Sequence, residues 1–69
     1  MTIRMLKTIR MIIARKCVER RAPLIATSME VYREAGITPS QQADEAVKLV
    51  AQGYIECGIT FNDVYYKLR

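Results

Sequence analysis

Between Ile3 and Cys17 the apolar residues Met5, Leu6, Ile9, Ile12, Ile13 and Cys17 recur in steps of three and four, the spacing that gathers side chains on one face of an α-helix. Arg4, Lys7, Thr8, Arg10 and Arg15 fall elsewhere on the wheel. A strand competes, because Ile3, Met5, Ile9, Met11 and Ile13 also alternate. Lys7 interrupts that alternation, and Leu6 and Ile12 lie on its wrong side. The pattern predicts a helix over about 3–21, ended where Ala22 meets Pro23, whose ring disfavours helical geometry in the residue before it.

A second helix, over about 24–35, starts either with Pro23 in its first position or with Thr27 as its N-cap. The stretch "TSME" sets Glu30 three residues after Thr27, the spacing of a capping box in which each side chain satisfies the other's backbone N–H. Gly36 suits the left-handed residue just past a helix, with Tyr32 and Ile37 flanking it in the positions of a Schellman contact. Thr38 then caps a third helix over about 39–57, with Pro39 first and Gln41 third. Its expected inward stripe is Ala43, Ala46, Val47, Val50, Tyr54 and Cys57, interrupted by Gly53, which costs up to about 1 kcal/mol in a helix interior.

"YREAGIT" at 32–38 returns as "YIECGIT" at 54–60. Read as the same device, the second copy stops the third helix at Gly58 and starts a fourth over about 61–68, with Thr60 as cap, Asp63 in its first turn and Ile59 stapled onto Val64. Two copies are too few for a solenoid. The expectation is an all-α domain spanning 1–69, a small bundle of about four short helices.

The segment "AGITPSQQA" resembles the turn and second-helix start of helix-turn-helix proteins. That resemblance implies a second helix that reads the major groove of DNA. The family's small residue four before the turn glycine is Tyr32 or Tyr54 here, and its buried apolar residue six after the glycine is Gln42 or Val64. The second copy is the better match, with Ile59, Phe61, Val64 and Leu68 to pack and Asn62, Asp63, Tyr66, Lys67 and Arg69 to face bases. Ordinary helical hairpins are the competing reading.

Composition adds a partner. Of 69 residues, 51% are apolar, more than so small a body easily hides, and a homodimer is expected to cover the surplus. Charge adds a direction. Residues 1–21 hold Arg4, Lys7, Arg10, Arg15, Lys16, Arg20 and Arg21 against Glu19, a net +6, while the remaining 48 carry a net −2. These seven are the candidate nucleic-acid-binding residues, acting on phosphates. Binding to an anionic membrane surface is a weaker use of the same helix, and a solvated face whose apolar side dimerises is the plain alternative. All five Tyr and Phe residues lie outside the basic segment, which leaves it no base-stacking platform.

Catalytic chemistry finds little here. There is no His for general base work near neutral pH and no glycine-rich phosphate loop, and Glu30 and Glu34 read as a solvated pair one turn apart. Two cysteines without histidine cannot assemble a four-ligand zinc site in one chain, so no metal, cofactor or small-molecule substrate is expected. Cys17 and Cys57 read as buried thiols in a reducing cytoplasm, since nothing resembling a secretory signal precedes them. The longest apolar run, "MIIA", is far short of a membrane span. The functional expectation is a non-enzymatic accessory regulator that binds nucleic acid through its basic first helix. The alternative is a protein-binding adaptor or inhibitor acting on a larger host protein, of the kind phages and mobile elements encode.

Overall fold

The computed structural model describes residues 2–69. Its elements run helix α1 (Thr2–Val18), strand β1 (Ala26–Thr27), helix α2 (Ser28–Ala35), helix α3 (Pro39–Ala51), strand β2 (Ile55–Ile59) and strand β3 (Val64–Leu68). The three strands form one antiparallel sheet in the order β1-β3-β2. Ala26 lies opposite Tyr66, and Tyr66 opposite Cys57, so β3 is the central strand.

Helix α1 buries the predicted face. Met5, Leu6, Ile9, Ile12 and Ile13 enter a single core with Val31 of α2, Ala46 and Leu49 of α3, and Ala26, Ile55 and Tyr66 of the sheet. The helix packs chiefly on α2, α3, β1 and β3. Truncating a wholly buried side chain such as Ile9 to Ala is expected to cost about 2–5 kcal/mol, the transfer term plus the cavity.

The local punctuation around α2 and α3 follows the sequence pattern. Thr27 caps α2 and Thr38 caps α3, each in a complete capping box with Glu30 and Gln41. Thr27, not Pro23, is therefore the true start of the second helix. Residues 19–25 are a loop with a cis Ala22–Pro23 bond and Arg20 at φ 57. Gly36, at φ 69, ends α2 by donating its N–H to the Tyr32 carbonyl, the single-bond form of the left-handed stop.

The all-α four-helix bundle is contradicted, and the error lies in the last third of the chain. The helix expected over 39–57 ends at Ala51. Gly53, at φ 80, donates to the Val50 carbonyl while Tyr54 donates to the Leu49 carbonyl, the paired bonds of a Schellman stop, the form expected at Gly36. The residues expected as a fourth helix over 61–68 are the last three residues of the hairpin loop 60–63 and strand β3 instead. Alternation explains this: Ile55, Cys57 and Ile59 share a face with Val64, Tyr66 and Leu68, the period of two that a strand requires.

Gly58 consequently has a different task from Gly36. It sits in β2 opposite Tyr65, and a β-carbon there would lie 2.4 Å from the Tyr65 ring. Thr60 caps no helix; its hydroxyl accepts from the Asp63 N–H at 3.0 Å and closes the hairpin loop. Asp63 does reach a positive helix end, but that of α2, where its carboxylate accepts from the Met29 N–H at 3.1 Å.

Candidate functional site

The seven cations of the first segment do not form one free row. Arg15 pairs with Glu34 at 2.7 Å, Lys16 with Glu30 at 2.7 Å, and Arg21 with its neighbour Glu19 at 3.0 Å. Arg4 donates to the Ala35 carbonyl, a cation at the negative end of α2. Lys7, Arg10 and Arg20 have no carboxylate partner among the described residues.

Lys16 is a fastener rather than a ligand. Its ammonium also donates to the Ile25 carbonyl at 2.8 Å, and Glu30 in turn accepts from the Thr27 N–H at 3.1 Å. Partial burial raises the pKa of Glu30, but the bonds from Lys16 and Thr27 outweigh it and hold the carboxyl below its usual value. Glu34 is lowered, and Arg15 raised, by their mutual hydrogen bond and charge. The acids of α2 are thus spent on the two cations of α1 nearest to them. Lys7 and Arg10, one turn apart, remain exposed on the outer side of α1, with Arg20 beyond its end.

The first copy of the echo, not the second, lies between two helices, α2 and α3. The feature that weakened it in sequence, Gln42 at the expected apolar position, is answered by hydrogen bonding. Gln42 is 1% exposed, and its amide donates to the Ile37 carbonyl at 2.8 Å and the Ser28 carbonyl at 3.1 Å. Its oxygen accepts from the Tyr66 hydroxyl at 3.0 Å. Burial, with smaller contributions from Cys57 and Asp63, pushes the Tyr66 phenol up to about 12, so it stays a donor.

The outward face of α3 is poorly suited to reading bases. Ala43, Val47, Val50 and Ala51 are exposed along it, and Asp44 and Lys48 are its only exposed charges. Base edges are read by Arg, Lys, Asn and Gln; α3 exposes Lys48 and Gln41, and the Gln41 carbonyl is held in the capping box. Val47, expected in the core, is 70% exposed, because the buried face of α3 is Gln42, Ala46 and Leu49.

That apolar face borders an open groove of about 540 Å³. Pro39, Ala43, Val47 and Val50 form one wall, and Cys57, Val64 and Tyr66 of the sheet form the other. Ile59 and Phe61 of the hairpin are 84% and 98% exposed. Sequence reasoning missed this groove because it assigned the stripe of α3 to the core; the alternation in 55–59 was the available signal. Both cysteines, expected to be buried, are exposed free thiols.

Among the described residues no cluster of His, Cys, Asp and Glu is arranged to hold a metal ion, and no helix is long and apolar enough to cross a membrane. No family model, curated protein or solved structure matches this chain.

Proposed function

We propose that the chain is a non-enzymatic nucleic-acid-binding accessory domain that holds phosphates on the outer face of α1. The observation that carries this reading is the trio Lys7, Arg10 and Arg20. They are exposed and free of carboxylates on a segment with net +6, whose nearby acids are already taken by Arg15, Lys16 and Arg21. Arg4 and Arg15 add field at the edge of the patch.

Helix, strand, helix, turn, helix and β-hairpin follow one another in the order of winged helix-turn-helix domains, a likeness of element order alone. Such domains read DNA with the second helix of the pair. The exposed face of α3 is largely apolar and the segment from 22 onward is net acidic, which moves the phosphate contacts to α1 and leaves little base readout. A reducing cytoplasm is the compartment in which two exposed thiols would stay reduced, which supports locating this activity there.

Fluorescence anisotropy with labelled duplex DNA and RNA tests this. Three phosphate contacts predict a log–log salt slope of about −3, and replacing Lys7, Arg10 and Arg20 by Gln is expected to abolish binding. Absence of binding at about 50 mM salt refutes the reading. A second reading, a protein-binding adaptor, is favoured by the apolar groove beside α3 and predicts a partner retained after nuclease treatment.

A further inference from the structure

Strand β2 lies at the edge of the sheet, and its backbone directions follow from the ladder. Arg69 donates to the Tyr54 carbonyl and Thr60 to the Asp63 carbonyl, at the two ends of the β2–β3 register. In an antiparallel pair the bonded positions alternate. Tyr54, Glu56, Gly58 and Thr60 therefore face β3, and the N–H and C=O groups of Ile55, Cys57 and Ile59 point to the open edge. No strand pairs with that edge among the described residues.

Natural edges are blunted with Lys, Pro or a bulge. The sequence Ile-Glu-Cys-Gly-Ile contains none of these, and its one charge, Glu56, alternates onto the face opposite Cys57 and the groove. The edge is also self-complementary: turned about a two-fold at Cys57, it sets Cys57 against Cys57 and Ile55 against Ile59, with every outward group bonded. The same operation brings two α3 helices together over the groove, so that the Val47 and Val50 stripe of each covers that of the other.

We propose that β2 is the seam of a homodimer, paired antiparallel with β2 of a second copy about Cys57, with the two α3 stripes closing the groove.

Charge favours a second copy on this side. Each chain carries +4, yet α1, where the positive charge is concentrated, packs chiefly on α2, α3, β1 and β3 rather than on the edge strand, and the groove is lined without any charged side chain. Asp44 and Lys48 border the stripe with opposite signs, so antiparallel α3 helices set each against the other's. Val47, Val50, Ile59 and Phe61 expose roughly 500 Å² of apolar surface per copy, judged from aromatic side chains of 150–250 Å² and smaller aliphatic ones. Two copies then bury at most about 1,000 Å², the size of a weak, reversible interface.

The seam is independent of what α1 binds, so a dimer that ignores nucleic acid still upholds it. Sedimentation velocity from about 1 to 300 μM is expected to show a monomer–dimer equilibrium. Val47→Glu and Cys57→Pro are each expected to raise the dimer Kd by about 30-fold or more with the circular dichroism unchanged. Val47→Glu alters an exposed helix position, and Cys57→Pro removes an N–H that faces away from β3. Paired Cys57 residues about 5.5 Å apart at Cα predict crosslinking by a short bis-maleimide in Cys17→Ser and none in Cys57→Ser. A monomer at every concentration, including one whose groove instead takes a peptide, overturns the proposal. So does a dimer that Val47→Glu leaves unchanged or that crosslinks only through Cys17.

Discussion

Replacing Gln42 by Leu keeps the side-chain volume and removes every polar contact at the point where the turn, α2 and β3 meet. Two groups lose the bond they make with Gln42: the Ile37 carbonyl, and the Tyr66 hydroxyl, which keeps only the Ser28 side chain beside it, both in the buried interior. The Ser28 carbonyl lies within α2 and keeps its helical donor. An unsatisfied buried group costs about 1–3 kcal/mol, and Leu recovers some transfer energy, so the net loss is about 2–4 kcal/mol. A 69-residue domain has only about 3–10 kcal/mol to lose. The assay is urea unfolding of wild type, Gln42→Leu, Tyr66→Phe and the double variant. Tyr66→Phe removes the donor that Gln42→Leu deprives of its acceptor, so the double variant is expected to be less unstable than the sum by about 1–2 kcal/mol. Strict additivity, or a Gln42→Leu protein within about 0.5 kcal/mol of wild type, refutes the role given to this residue.

Tyr66 also sets the alkaline limit. Its phenol titrates near 10 in the unfolded chain and near 12 in the fold, so the fold favours the neutral form. Its contribution is complete below pH 10 and is lost as pH rises towards 12, about 2–3 kcal/mol in all, and thermal unfolding of Tyr66→Phe should lose that limb. Glu30 behaves oppositely: its lowered carboxyl contributes above its unfolded value of 4.5 and is lost on acidification, and Lys16→Met should flatten the acid limb of thermal unfolding. Gly58→Ala should cost about 1 kcal/mol by differential scanning calorimetry, because the Tyr65 ring must swing aside, and should be nearly neutral when Tyr65 is already Ala. Thr38→Ala should lose about 1 kcal/mol of cap energy by urea unfolding, whereas equal tolerance of Thr38→Ala and an exposed Ser40→Ala would contradict the cap.

The parts of this fold legible in the sequence are those decided by neighbours within four residues. The two capping boxes, the Gly36 stop and the buried face of α1 depend on local hydrogen bonds and a helical period, and each stands where the pattern put it. The phase of α3 was not legible, because Gln42 reads as a surface residue until Tyr66, 24 positions later, supplies its donor. Charge on α1 was legible as a total but not as a surface. Which cations stay free depends on Glu30 and Glu34 arriving from α2 across the packed pair of helices.

The echo shows how one string of residues takes two structures. In the first copy, Tyr32 to Ala35 are the last turn of a helix already capped at Thr27, and Gly36 takes the left-handed conformation that ends it. The second copy comes just after Gly53, which has already closed α3 one residue before Tyr54, so Ile55 onward starts without a helix to continue. Residues 55–59 then alternate in register with Val64, Tyr66 and Leu68, and pairing with β3 supplies the backbone partners a new helix would have had to nucleate alone. Gly58, released from ending a helix, is retained as the flat place on which Tyr65 lies. The deciding residue is therefore Gly53, outside the repeated string. Gly53→Ala, which places a side chain at φ 80, tests the order of events: it should weaken the stop and cost about 1 kcal/mol or more, with the loss seen first as hydrogen exchange at Tyr54 and Ile55. Protection that fails first at Gly36 instead would show that the two stops are not the separate devices argued for.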